Sequence, residues 1–259
     1  MHPLLIQIGP VPIHTYGALI AVGFLIAVYT IKTLTERSKL NVDRTLDLVF
    51  WTLLVGFIGS RVLFIATRWE DFSGDPLAMF KVWQGGLVFL GGPIFALPFN
   101  YWYLKRHKMP VWKTMDSMIP GLVIAHAFGR MGCLMAGCCY GKPTGSGFGI
   151  KLYSDLVDVQ IRGINLHPTQ IYESFSLLVL FTGMLWVHRN KRFDGQVILT
   201  YFMAYPVIRS VVEIFRGDLI RGFVIEGWVS TGQFISVLIF IGASVTLALR
   251  LKYLKKGSA

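Results

Sequence analysis

The sequence predicts an all-α polytopic membrane protein with seven transmembrane helices, an outside N-terminus, a cytoplasmic C-terminus and a small extracytoplasmic cap. Three observations predict it. Of the 259 residues, 54% are apolar, too large a share for an ordinary soluble domain. They gather into seven runs near the ~20 residues that cross a hydrocarbon core of about 30 Å. Fifteen of the 25 Lys and Arg fall in connections that would share one face of the membrane.

The first run, 13–31, follows Pro3, Pro10 and Pro12, and no Lys or Arg precedes Lys32. The opening stretch therefore lacks the basic region and unbroken apolar core of a cleavable signal peptide. The second run, 46–67, contains Arg61. The third, 87–104, is short and carries Pro93 and Pro98. The fourth, 117–135, contains Arg130. The fifth is 171–187, the sixth and short one is 197–212, and the seventh is 231–251.

The basic residues orient these spans. Lys32, Arg37, Lys39 and Arg44 follow the first; Lys105, Arg106, Lys108 and Lys113 follow the third. Arg189, Lys191 and Arg192 follow the fifth, and Arg250, Lys252, Lys255 and Lys256 close the seventh. The positive-inside bias puts these ends in the cytoplasm. The net charge of +11 thus reads as topology and attraction to anionic membrane lipids, with no nucleic acid as partner. No repeat or linker divides the chain, so residues 1–259 form one integral-membrane domain. The opposite connections, 68–86, 137–169 and 213–230, are longer and richer in glycine and polar residues, as binding loops are. Alternation over 145–158 permits a small hairpin, making 137–169 the candidate cap.

Two arginines inside spans need explaining, because a guanidinium at membrane depth costs about 2.5–3.5 kcal/mol on insertion scales. Arg130 lies four residues after His126, on the same helix face, with no acid within a turn; an anion-facing role follows. Arg209, Glu213 and Arg216 are spaced i, i+4 and i+7 near the end of the sixth span. Guanidinium forks match phosphate oxygens, although Arg209 and Glu213 could simply pair. Glu173, just inside the fifth span, calls for a basic partner. His14 and Tyr16 open the first span as interfacial anchors or as polar groups delivered to a cavity. The glycines of Gln84-Gly-Gly-Leu-Val-Phe-Leu-Gly-Gly-Pro93 allow close approach of another helix or a ligand. Cys133, Cys138 and Cys139 do not match the common zinc spacings and read as small apolar packing; no metal and no cofactor is expected. Neither a phosphate-binding glycine loop nor a Gly-x-Ser-x-Gly elbow is present.

Together these pieces resemble the bacterial prolipoprotein diacylglyceryl transferases: Gly9-Pro10 with His14-x-Tyr16-Gly17, Gly59-Ser-Arg61, Gly85-Gly86 through Gly91-Gly92, Gly129-Arg130-Met-Gly132, His167-Pro-Thr-Gln170-x-Tyr-Glu173, Arg209-x-x-x-Glu213-x-x-Arg216, and Ser230-Thr-Gly-Gln233. The resemblance implies a multi-pass enzyme of the bacterial inner membrane. It would move the diacylglyceryl group of phosphatidylglycerol to the lipobox cysteine of a preprolipoprotein signal peptide, releasing glycerol phosphate. It also implies catalytic roles for Arg130, Arg216 and Tyr16. Arg61, His14, Gln170, Glu173, Glu213, Gly86 and Gly91 would line the substrate site. Leu90 stands where the family commonly carries a histidine. Cys133, Ala136 and Cys138 replace two asparagines and an acid. A paralogous lipid transferase with another acceptor, or an anionic-solute transporter, is the competing expectation. The lack of an inverted repeat weighs against many transporter folds.

Overall fold

The computed structural model describes residues 4–8, 11–72, 74–82, 85–153, 157, 159–217, 223–225 and 229–257. A hairpin of β1 (Leu4–Ile8) and β2 (Val11–His14) leads into α1 (Thr15–Arg37). Then follow α2 (Val42–Thr67), the single turn α3 (Trp69–Phe72), α4 (Gly91–Arg106) and α5 (Val111–Ala136). Two-residue strands β3 (Ile150–Lys151) and β4 (Asn165–Leu166) pair before α6 (Thr169–Asn190) and α7 (Gln196–Phe215). Strands β5 (Phe223–Ile225) and β6 (Val229–Ser230) precede α8 (Thr231–Gly257).

Among the described residues, six helices are long and apolar enough to cross a membrane: α1, α2, α5, α6, α7 and α8. Their outward faces carry side chains such as Leu25, Phe50, Trp186 and Leu249, each more than half exposed, as lipid contact requires. The expected third span is the exception. Helix α4 starts at Gly91, not at residue 87, and its 16 residues reach about 24 Å at 1.5 Å per residue. Residues ahead of it are held otherwise: Gly85 and Gly86 both have φ of +83°, and the Val88 amide donates to the Ser60 carbonyl at 3.1 Å.

The chain divides into two compact units, residues 32–114 and residues 1–31 with 115–259. In the first, α2 packs on α4 through Gly59 and Gly91, where a Cβ on either glycine would run into the other's backbone. This close approach by small residues is a common device in membrane helices. The Thr52 hydroxyl, 2.5 Å from Asn100 Oδ1, crosses the same pair.

The second unit joins α5 to α8 with the start of α1. Gly23 faces Phe128, and Gly121 faces Ile31. Between α5 and α6, Leu152, Val157 and Leu166 are buried together beneath Tyr140, Ile150 and Ile161, so the loop has a small core of its own around the β3–β4 pair. At the other end of α5, Asp116 is fully buried. Its Oδ1 accepts from the amides of Val197 and Ile198, both at 3.1 Å, and its Oδ2 accepts from Gly195 N–H and Lys191 Nζ, both at 2.8 Å. A carboxylate from one helix thus satisfies the unpaired first amides of another.

Replacing Asp116 with alanine should cost about 3 kcal/mol or more, seen as a lower unfolding midpoint in detergent. Lys191 adds a pH signature. Burial lowers its pKa, but the carboxylates of Asp116 and Asp194 outweigh this and hold it above 10.5. Its contribution is complete below the unfolded lysine's pKa and is lost as pH rises through the higher folded value. Lys191→Met should remove that alkaline loss of stability.

Candidate active site

The polar centre of the larger unit is built from α5, α6 and α7. Glu173, 1% exposed, presents Oε1 to Arg130 Nη2 at 3.1 Å. The same oxygen accepts from the Tyr205 hydroxyl at 3.3 Å and lies 3.7 Å from His126 Nε2. Arg130 Nε donates to His126 Nε2 at 3.2 Å, which makes that nitrogen an acceptor and the imidazole neutral. The absence of an acid within a turn of Arg130 does not leave it unpaired, because its carboxylate comes from α6. Glu173 has the basic partner its position calls for. The contacts to His126 and Glu173 still leave part of a five-donor fork for another ligand.

Along α7, Tyr201, Tyr205, Arg209 and Glu213 follow one another at four-residue spacing and so share a face. The two tyrosine rings stack at 5.4 Å, and Tyr205 meets His126 edge-on. Arg209 Nη1 and Glu213 Oε2 form an ion pair at 2.5 Å. Sequence reasoning missed Tyr205. The signal was there, since a polar stripe at every fourth position of an apolar helix marks an inward face.

Arg216, 5% exposed, follows the end of α7 and enters strand-like pairing with Gly141. The Lys142 amide donates to the Phe215 carbonyl at 2.8 Å, while Gly141 N–H and Lys142 O bond the backbone of His167, both at 3.0 Å. Residues 140–144 are thus the middle rung between the start of α6 and the end of α7. Gly141 has no room for a side chain there: a Cβ would meet His167 and the Phe215 carbonyl. The His167, Tyr172 and Phe215 rings pack together, and His167 Nδ1 lies 3.4 Å from the Tyr172 hydroxyl.

Helix α5 ends at Ala136, and left-handed Gly137 (φ +76°) and Cys139 (φ +60°) turn the chain back. The turn is tied down by α6. Thr169 Oγ1 donates to Cys139 O at 2.8 Å, and Gln170 Nε2 donates to Cys138 O at 2.7 Å. Gln170 Oε1 is buried and has no hydrogen-bond partner among the described residues. The Sγ atoms of Cys133, Cys138 and Cys139 lie within 4.8 Å of one another. Arg130 lies in the last two turns of α5, and two residues after Cys139 the chain pairs with Arg216 at Gly141, so both arginines border this turn. Tyr16 packs beside it, with its ring where a side chain on Gly132 would be.

His14 ends β2, exposed, opposite Leu4. Arg61, Gly86 and Gly91 belong to the unit 32–114. Arg61 is buried there and donates to the carbonyls of Ala78, Met79, Gly85 and Gly86 at 2.6–3.0 Å. The Phe64 and Phe72 rings lie 5.5 and 5.6 Å from its guanidinium carbon. Four of five N–H donors end on backbone oxygens, so its geometry is that of a structural clamp on the 78–86 segment. Gly86 makes room for this guanidinium, and Gly91 serves the α2–α4 contact.

The sequence matches the prolipoprotein diacylglyceryl transferase family over residues 3–249. It is 36% identical over 244 residues to phosphatidylglycerol–prolipoprotein diacylglyceryl transferase 2 of Clostridium perfringens, covering 93% of each chain. It is 34% identical over 241 residues to the phosphatidylglycerol–prolipoprotein diacylglyceryl transferase of Clostridium tetani, covering 93% of this chain and 94% of that one. The Oceanobacillus iheyensis protein of the same name is 29% identical over 253 residues, covering 95% and 87%. With this agreement along nearly its whole length, the chain belongs to the prolipoprotein diacylglyceryl transferase family.

Proposed function

We propose that this chain transfers the diacylglyceryl group of phosphatidylglycerol to the lipobox cysteine thiol of a preprolipoprotein, the first step of lipoprotein maturation. In the reaction the acceptor sulfur, as thiolate, forms a bond to the glyceryl carbon that carries the phosphate. The C–O bond breaks, and glycerol phosphate leaves with the electron pair. Negative charge grows on the departing phosphate, and fixed guanidiniums are suited to stabilise it.

The observation that carries this reading is the pair of arginines, Arg130 in the last turns of α5 and the buried Arg216 paired with Gly141, that border the same turn among long apolar helices. Arg130 is oriented by Glu173 and His126 and keeps donors for a phosphodiester. Gln170 Oε1, buried without a partner among the described residues, suits a hydroxyl of the glycerol headgroup, since an unsatisfied buried acceptor costs about 1–3 kcal/mol. Tyr16 would position the lipid or the thiol. Glu213 holds Arg209 and supports the pocket indirectly. An apolar groove of about 390 Å³ lies against α6 and α7, lined by Tyr172, Val207, Val211 and Phe215 among others. It runs to the residue preceding Arg216 and suits an acyl chain whose headgroup lies at the arginines.

The same reading sets the protein in the bacterial inner membrane with its N-terminus outside, its basic connections in the cytoplasm, α4 as a seventh crossing and residues 137–169 on the outer side.

Full-length protein in detergent, supplied with phosphatidylglycerol and a lipobox peptide, should yield a peptide carrying the diacylglyceryl mass together with free glycerol phosphate. A folded protein that gives neither would overturn the reading. Arg130→Ala should lower kcat about 10²–10³-fold. Gln170→Met should raise the KM for phosphatidylglycerol about tenfold and change kcat less.

A further inference from the structure

The three cysteines are not used by the transfer chemistry, because the nucleophile belongs to the acceptor protein. Their arrangement nevertheless differs from incidental packing. The spacing C-x4-C-C would scatter the side chains if α5 continued. The helix stops at Ala136, and positive φ at Gly137 and Cys139 folds the chain back on the last turn. The Cys138 thiol then lies 3.7 Å from the Cys133 carbonyl, and the three sulfurs converge within 4.8 Å of one another. None of them is in a disulfide.

Metal–sulfur bonds of about 2.3 Å to a tetrahedral ion put the sulfurs about 3.8 Å apart, so the observed arrangement needs only a small closure. The turn is anchored independently of any ion by Thr169 and Gln170, which bond the carbonyls of Cys139 and Cys138. Charge fits as well. Three thiolates around a divalent ion carry a net negative charge, and Arg130 and Arg216 border the turn that carries them. Soft thiolates select d10 ions such as Zn(II) and Cu(I) over hard, oxygen-seeking cations. Cys138 is exposed, so an ion can reach the cluster.

We propose that Cys133, Cys138 and Cys139 form a tris-thiolate site for a thiophilic d10 cation. Binding releases the three thiol protons to solvent and involves no electron transfer. The site stands on the sulfur geometry, so it holds or fails apart from the transferase reading.

The test uses full-length protein, reduced and stripped of metal, in detergent. Zn(II) and Cu(I) are added separately, followed by removal of excess ion and elemental analysis. One equivalent of one or both should remain per chain, Mg(II) should not be retained, and Co(II) should give a sulfur-to-metal charge-transfer band. Cys138→Ser should weaken retention at least about tenfold, and the double variant Cys133→Ser, Cys139→Ser should abolish it. Bound zinc should also slow alkylation of all three thiols in the unmutated protein, a readout that needs no variant to fold. Retention of neither Zn(II) nor Cu(I), alkylation unchanged by the retained ion, or retention unaffected by Cys138→Ser would each overturn the proposal.

Discussion

The site depends on how a guanidinium is kept inside a bundle of apolar helices. Arg130 costs energy there unless its charge is met, and Glu173, itself 1% exposed, meets it at 3.1 Å. Neither residue is tolerable without the other, since an unpaired buried charge is strongly destabilising. The pair therefore fixes α5 against α6, and Tyr205, through its bond to the same carboxylate oxygen, brings α7 to the same point. Most of the other site residues of this unit hang on these three helices. Gln170 and Thr169 lie one turn before Glu173 and tie down the turn after α5, while Arg209 and Arg216 follow Tyr205 along and just beyond α7.

A second arginine shows the other solution to the same problem. Arg61 has no carboxylate within the bonds that hold it. Backbone carbonyls of the 78–86 segment take four of its donors, and two aromatic rings cover its faces. The two solutions have different chemical consequences. A guanidinium saturated by carbonyls has little left for a ligand and serves the fold. One held by a single carboxylate oxygen and an imidazole is oriented but not saturated, and this is the state in which an arginine can receive a phosphate.

Much of this was legible in the sequence, where the cost of burial leaves a mark. Hydropathy located the six helices long and apolar enough to cross a membrane, and the isolated charges Arg130 and Glu173 marked the buried polar centre. Pairing between helices was harder to read. Arg130 appears unaccompanied along its own helix because its partner lies 43 residues away, and only packing brings them together. Arg61 looks like Arg130 in sequence; what separates them is where the backbone carbonyls of a glycine-rich loop point. The third run starts earlier in hydropathy than in structure because hydropathy records composition and not conformation: residues 87–90 are apolar but lie outside the helix. The convergence of the three cysteine sulfurs was hidden for a related reason, since two left-handed residues fold the chain back after α5. Left-handed glycine is foreseeable, left-handed Cys139 much less so.

The histidine position occupied by Leu90 leaves the acceptor thiol's proton to another group, and the geometry separates the candidates. His14 lies exposed at the end of a hairpin. His126 presents Nε2 to Arg130, so a proton added there would displace a cation's hydrogen bond and stand beside its charge. His167 is placed differently. Its ring nitrogen faces the Tyr172 hydroxyl, and its backbone bonds Gly141, which pairs on its other side with Arg216. A base near an arginine gains nothing from being hydrogen-bonded to it, because the guanidinium occupies the lone pair that the base would use. In this unit the imidazole that accepts from Arg130 on α5 and the imidazole that faces Tyr172 at the start of α6 are therefore held by different partners, a guanidinium in one case and a hydroxyl in the other.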